Sequence, residues 1–170
     1  MKSINVQVVE TSLSISDAMN FGSQSGHGAM SCFVGVVRDT NLGRQVRGME
    51  YDCFVPLCLK VFREIAIEAT EKWGPSVTIF IVHRTGWLNI GEASVVLVAK
   101  TPHRDEAFRI TRYLIEEIKV RAPIWKKEHY IDGATDWVRG HALCQHRKVD
   151  HHDEGGSHSC GGEVHSHETR

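Results

Sequence analysis

The sequence predicts one domain of the α+β class or an α/β sandwich, followed by a short tail. Several short segments have the alternating or continuous apolar pattern of strands, and two long segments between them have the three- and four-residue spacing of amphipathic helices. A chain of 170 residues is long enough to bury a sizeable core within one domain.

The composition excludes several classes of protein. Twenty basic and 21 acidic residues nearly cancel, so any anion site must be local. Residues 1–15 lack the apolar run of a secretory signal, and no stretch approaches the roughly 18 apolar residues of a membrane span. Five cysteines without a CxxC pair argue against a disulfide framework and a four-thiolate zinc site. We expect a soluble, cytoplasmic protein.

The first third of the chain is predicted to alternate strands and turns. Ile4–Val9 has the pattern of a strand, and Ser14–Phe21 that of a short helix capped by Ser14 or Ser16. Ala29–Val37 is almost wholly apolar, which is typical of a central strand, and it is followed by Arg38.

A turn at Thr40–Arg44 is predicted to lead into an alternating strand, Val46–Cys53, that pairs back on the preceding strand as a hairpin. Pro56 then opens an amphipathic helix that Gly74-Pro75 ends.

Two further strands are predicted, Val77–Val82 and Ala93–Lys100, joined by a glycine-containing loop or hairpin. His83 follows the first of them and is interpreted as a satisfied strand-end histidine, since no second histidine lies at metal spacing nearby. Trp137-Val138 is predicted to pack as a last strand.

The segment Lys100–Lys127 is predicted to organise the rest. Thr101 is expected to cap a helix of about five turns with Pro102 at its first position, so that His103 and Arg104 lie where free amides and the helix dipole favour an anion. Pro123 ends the helix. Its core face is predicted to contain Ala107, Ile110, Leu114 and Ile118, widened by Phe108 and Ile115.

Four basic residues of this segment are expected to surround one anion-binding cleft: His103, Arg104, Lys119 and Lys126. The alternative is a solvated helix face whose lysines and arginines are balanced by nearby carboxylates. Arg38 has the same alternative, as a solvated strand end.

The domain is predicted to span residues 1–140, and residues 141–170 to form a disordered His/Gly-rich tail. The last twenty residues contain almost no large apolar side chain, so burial cannot offset the entropy of ordering. Five histidines there either bind metal loosely or form an unselective surface tail.

Four segments together resemble the large catalytic subunit of molybdopterin synthase. They are GAMSCFVGVVRDTNLG, VHRTGWLNIGE, TPHRDEAF and IKVRAPIWKKE, in that order, and the resemblance covers Gly28 to Val138. The combination of HR with a later K-x-R-A-P-x-W-K is specific.

This resemblance implies an α/β hammerhead fold with an additional antiparallel β-sheet, in a homodimeric core. Each large subunit is implied to bind a small ubiquitin-like sulfur-carrier subunit, giving a heterotetramer. The implied activity is that of a sulfurtransferase in molybdenum cofactor biosynthesis. Sulfur passes twice from the carrier's C-terminal Gly-Gly thiocarboxylate to cyclic pyranopterin monophosphate, forming the molybdopterin dithiolene without a cofactor or metal.

The resemblance also implies roles for particular residues. Lys119 and Lys126 match the family's catalytic lysines, and His103 and Arg104 match its pair for the substrate phosphate. In the family, groups from the neighbouring protomer help complete the pocket. The remaining implied substrate-binding residues are Arg38, Phe33 and, standing in for an arginine that relatives carry a few residues later, Arg139.

A second hypothesis is a noncatalytic dimeric module that binds a partner's acidic C-terminal tail in the same basic cleft and uses its histidine-rich tail as a metal buffer. A phosphate-ester hydrolase is disfavoured, because the sequence has neither a GxxxxGK[ST] loop nor a carboxylate-histidine metal cluster.

Overall fold

A computed structural model describes residues 3–139, which form three helices and nine strands. The helices are α1 (Ile15–Asn20), α2 (Val55–Trp73) and α3 (Arg104–Arg121). The strands are β1 (Ile4–Val9), β2 (Ala29–Val36), β3 (Thr40–Asn41), β4 (Arg44–Cys53), β5 (Thr78–Arg84), β6 (Gly86–Asn89), β7 (Ala93–Thr101), β8 (Ile124–Tyr130) and β9 (Thr135–Arg139). None of the described helices is long and apolar enough to cross a membrane.

The first sheet has the order β1-β5-β7-β2, with β1 parallel to β5 and the other pairs antiparallel. Helices α2 and α3 pack on one face, where Phe62, Ile81, Leu97 and Leu114 are fully buried. Helix α1 covers the other face. Continuous apolar runs form β5 and β7 because both faces of these strands are covered.

The second sheet is antiparallel and is built around β4, which pairs with β8 along most of its length and with β6 on its other side. Strand β9 extends the sheet beyond β8, and β3 pairs with the start of β4. The predicted α+β class and the additional antiparallel sheet are therefore confirmed.

Several local predictions are also confirmed. Strand β1 has the predicted bounds, and the Ser14 hydroxyl caps α1 by accepting a hydrogen bond from the Asp17 amide at 3.1 Å. Helix α2 carries Pro56 in its first turn and ends at Gly74. Strand β9 contains Trp137-Val138.

Two predictions about the arrangement of strands are wrong, one on a strand's position in its sheet and one on a strand's partner. The apolar strand after Gly28 is an edge strand that pairs only with β7, although a central position was expected. Strand β4 does not pair back on it, because the hairpin at Leu42-Gly43 joins β4 to the two-residue strand β3. Local alternation predicts a strand well but leaves its distant partner undetermined.

The predicted start of α3 is wrong by two residues. Thr101 remains in β7, paired with Ala29, and donates its hydroxyl hydrogen to the His103 carbonyl at 2.6 Å. The N-cap is His103, without a side-chain capping bond. The predicted core face of α3 is buried, but Phe108 is 65% exposed and does not widen it, whereas Ile115 packs against the core.

The predicted tail, residues 141–170, lies outside the described residues.

Candidate active site

A cavity of about 500 Å³ lies where the two sheets meet the last turn of α3. Its walls come from the end of β2, from β4, from α3 and from β8. Four of the residues predicted for the site line this cavity: Phe33, Arg38, Lys119 and Lys126.

Lys119 is placed by the end of α3. Ala122 leaves the helix in an extended conformation (φ −74°, ψ 132°), as expected for a residue before proline, and β8 begins at Ile124. The chain therefore turns back at once and brings Lys126 beside the helix end. A cation in the last turn also interacts favourably with the negative end of the helix dipole.

Lys126 is held by an ion pair with Glu128. Alternation along β8 puts both side chains on the inner face of the second sheet, and Lys126 Nζ lies 2.9 Å from Glu128 Oε1. Their side chains are 17% and 2% exposed. The two residues thus supply a prepositioned ammonium at the cavity wall.

Glu128 stays ionised although it is buried. Burial raises the pKa of its carboxyl group, but hydrogen bonds from Tyr130 and Lys126, together with the Lys126 charge and a bond from Asn41, outweigh it and hold the pKa below the usual range. The Asn41 amide donates to Glu128 Oε2 at 2.6 Å, and the Tyr130 hydroxyl donates to the same oxygen.

Arg38 is connected to this carboxylate through Asn41. Its Nη2 donates to Asn41 Oδ1 at 3.4 Å, so Asn41 bridges the end of β2 and the inner face of β8. Among the described residues, the charged groups that line the cavity are three cations, Arg38, Lys119 and Lys126, and one carboxylate, Glu128. This excess of positive charge suits an anionic ligand.

His103 and Arg104 lie at the other end of α3. Fifteen residues separate Arg104 from Lys119, which at 1.5 Å per residue places them about 22 Å apart. The expectation that these four basic residues surround one cleft is therefore wrong within a single chain.

Arg139 is the last residue of β9, and its backbone pairs with Trp125 of β8. The neighbouring pair is Lys126 with Val138, so the backbone of Arg139 lies on the sheet that carries Lys126.

The cavity residues that sequence reasoning did not place there include Asn41, Tyr51, His83, Ser94 and Glu128. Asn41 lies in the TNLG turn and Glu128 in the charged run WKKE, so both residues belong to segments that stand out in the sequence. A buried carboxylate needs hydrogen-bond partners, and these segments were the local signal for such a pair. The other three lie on three different strands, and no local pattern brings them together.

Among residues 3–139, no group of three or more His, Cys, Asp or Glu side chains is arranged to hold a metal ion. The described cysteines, Cys32, Cys53 and Cys58, are free thiols.

The fold and the cavity define an α+β protein with a cation-lined cavity. A family model described as MoaE protein matches residues 8–121. The molybdopterin synthase catalytic subunit of Synechococcus elongatus is 46% identical over 134 residues, which cover 79% of this chain and 81% of that protein.

Solved structures have the same fold. A crystal structure of molybdopterin synthase from Staphylococcus aureus superimposes with a TM-score of 0.74 at 34% identity, covering 77% of this chain and 94% of that one. A complex of subunits 1 and 2 of molybdopterin-converting factor from Helicobacter pylori gives 0.65 at 22% identity, covering 79% and 90%, which supports the fold alone. The chain therefore belongs to the MoaE family, whose curated relatives are molybdopterin synthase catalytic subunits.

Proposed function

We propose that this chain transfers sulfur, in the cytoplasm, from the C-terminal thiocarboxylate of a small ubiquitin-like carrier subunit to cyclic pyranopterin monophosphate. Two transfers form the molybdopterin dithiolene. The observation that carries the proposal is the position of Lys119, Lys126, Arg38 and Phe33 around one cavity.

The charge of the cavity suits this reaction. The substrate phosphate and the incoming thiocarboxylate are both anions, and bringing them together costs electrostatic energy unless cations lie between or beside them. Arg38, Lys119 and Lys126 lower that cost without a bound metal.

The two lysines take different roles in the proposal. Lys126 is held by the buried Glu128 and therefore acts as a fixed charge that steadies the thiocarboxylate or the oxyanion formed from it. Lys119, on the last turn of α3, is the amine that passes protons as sulfur replaces oxygen.

His103 and Arg104 are assigned to the phosphate of a substrate bound in the cavity of a neighbouring protomer. Within one chain they lie about 22 Å from Lys119, so they reach a cavity of this kind only from a second copy. The proposed assembly is a homodimer with one carrier subunit bound to each chain. Arg139 is assigned to the same substrate.

The proposed catalytic domain is residues 1–140. The last described strand, β9, ends at Arg139. A chain truncated after Gly140 is expected to retain sulfur transfer, with full-length chain as the comparison.

The direct test is an assay with cyclic pyranopterin monophosphate and thiocarboxylated carrier, in which product is converted to a fluorescent pterin. The wild-type chain should form product, and Lys119→Ala and Lys126→Ala should each lower the rate by about 100-fold or more. Carrier binding and circular dichroism should remain unchanged.

Lys127→Ala is the matched control. Lys127 follows Lys126 in β8 but lies on the opposite face of the sheet, 5.5 Å from the centre of the Trp137 ring. Near-normal turnover by Lys119→Ala would remove that lysine from the mechanism. A wild-type chain that binds the carrier but forms no product would favour the noncatalytic binding module.

A further inference from the structure

Three neutral polar side chains line the cavity beside its charged groups. His83 ends the core-facing side of β5, Tyr51 lies on β4 and Ser94 on β7. The Tyr51 and His83 rings pack edge to face with centroids 5.2 Å apart. Ser94 is the extra residue of a β-bulge opposite Gly35/Val36, and its hydroxyl donates to the Gly35 carbonyl at 3.2 Å.

The hydrogen bond of His83 fixes its tautomer. Nδ1 lies 2.9 Å from the Arg84 carbonyl oxygen, and because a carbonyl only accepts, Nδ1 must carry the hydrogen. Burial lowers the pKa of His83 to about 4, so the ring is neutral near pH 7. The lone pair of the neutral ring is then on Nε2.

Nε2 of His83 remains open to the cavity. The residue is only 6% exposed, and no hydrogen bond joins Nε2 to another described residue. Over residues 3–139, the only fully buried side-chain polar atom without a hydrogen-bond partner is Glu106 Oε2. His83 Nε2 also has no partner and is therefore not fully buried, so it retains contact with the cavity space.

Among the described charged groups of the cavity, only Glu128 accepts hydrogen bonds, and it already accepts three. Arg38, Lys119 and Lys126 are donors only. Glu128 accepts from Lys126 with Oε1 and from Asn41 and Tyr130 with Oε2, so both of its oxygens are engaged. A heterocycle with N–H groups therefore meets an uncommitted neutral acceptor at His83.

We propose that His83 is a specificity-determining residue whose Nε2 accepts a hydrogen bond from a ring N–H or amino group of the pterin substrate. This inference rests on the function proposed above. Tyr51 holds the imidazole plane, and Arg38, Lys119 and Lys126 hold the anionic groups in the same cavity. A nitrogen-rich ring is thereby distinguished from other small phosphate esters.

The kinetic test compares His83→Leu with His83→Gln, which keeps a donor and an acceptor. Loss of one neutral hydrogen bond should raise KM for the pterin about three- to tenfold in His83→Leu with a smaller change in kcat, and His83→Gln should recover part of the loss. His129→Leu, on the outer face of β8, should keep the wild-type KM. Equal KM values for wild type and a folded His83→Leu variant would overturn the proposal.

The second measurement is made on the wild-type protein, and a variant serves only to assign the resonance. In ¹⁵N spectra of the histidine side chains, the His83 Nε2 resonance, assigned by its loss in His83→Gln, should shift when cyclic pyranopterin monophosphate is added. Carrier alone should leave it unmoved. A shift with carrier only would assign the acceptor to the N–H groups of the Gly-Gly tail and overturn the substrate assignment.

The two proposals fail in different ways. A wild-type chain without turnover overturns both. Normal turnover with a His83 resonance that the pterin does not move overturns the role of His83 and leaves sulfur transfer standing.

Discussion

Lys126 Nζ lies 2.9 Å from Glu128 Oε1, and the carboxylate of this pair is almost completely buried. The same carboxylate accepts hydrogen bonds from Asn41 and Tyr130. One buried charge thus connects the end of β3, the inner face of β8 and the cavity. The position of Lys126 is fixed before any substrate binds.

Replacing Glu128 by Gln should destabilise the domain and weaken catalysis together. Removing one partner of a buried pair leaves the ammonium uncompensated, and we expect a loss of about 3 kcal/mol in the free energy of unfolding. Urea titration measures it. Glu116→Gln is the matched control, because its pair with Arg112 is exposed and should contribute well under about 1 kcal/mol. Equal stability of the two variants would contradict the role given to Glu128.

The stability of the domain should fall between pH 6.5 and about 4 because of His83. In this window the unfolded histidine binds a proton that the buried one does not, so acidification favours unfolding, by about 3 kcal/mol over the whole window. Glutamates whose pKa is lowered in the folded domain, such as Glu128, reduce its stability mainly below pH 4.5, the ordinary pKa of a glutamate.

The measurement is the free energy of unfolding at several pH values for wild type and His83→Gln. The variant should lack most of the decrease above pH 4.5. Parallel curves for the two proteins would show that His83 is not the group responsible.

Mixing two inactive variants should restore activity if His103 and Arg104 act across the dimer. In a dimer of one Lys119→Ala chain and one Arg104→Ala chain, one of the two cavities has both residues intact. After random exchange of subunits, half of the dimers are mixed, so we expect about a quarter of wild-type turnover. Two Lys119→Ala preparations mixed in the same way are the control. No recovery would show that Arg104 does not act across the dimer.

Gly28→Ala should disturb the segment before α3. A Cβ on Gly28 would collide with the backbone carbonyl oxygen of Pro102, next to His103. We expect a loss of about 1–3 kcal/mol in unfolding free energy and weaker substrate binding. Gly26→Ala provides the comparison, since its Cβ would meet nothing within 4 Å and should change stability by less than about 0.5 kcal/mol. Similar values for both variants would show that the segment adapts.

Replacing all five cysteines by Ala should preserve sulfur transfer, because the transferred sulfur comes from the carrier. Some stability should be lost, since Cys58 is fully buried against the helix-facing core. Turnover per folded molecule is the measurement, with circular dichroism to count folded protein. Complete loss of turnover from a folded cysteine-free chain would require a thiol in the mechanism.

Local patterns predicted the three helices and most strands, but β8 was not predicted as a strand. Its inner face carries Lys126 and Glu128, so the run WKKEH has no apolar alternation to identify it. The prediction of where α3 begins was wrong for a related reason. Thr101 and Pro102 are suitable helix-capping residues, yet pairing of Thr101 with Ala29 keeps this position in β7 and delays the helix.

The sequence by itself determined the α+β class and the C-terminal ends of α2 and α3, and a short motif pointed to Lys119 and Lys126, because periodicity, proline and short motifs act over a few neighbouring residues. Only the tertiary structure decided which residues share the cavity. The rise of α3 carries Arg104 about 22 Å from Lys119, and pairing of β4 with β8 places Tyr51 opposite Lys126. These relationships depend on contacts between segments far apart in the chain, which no local pattern encodes.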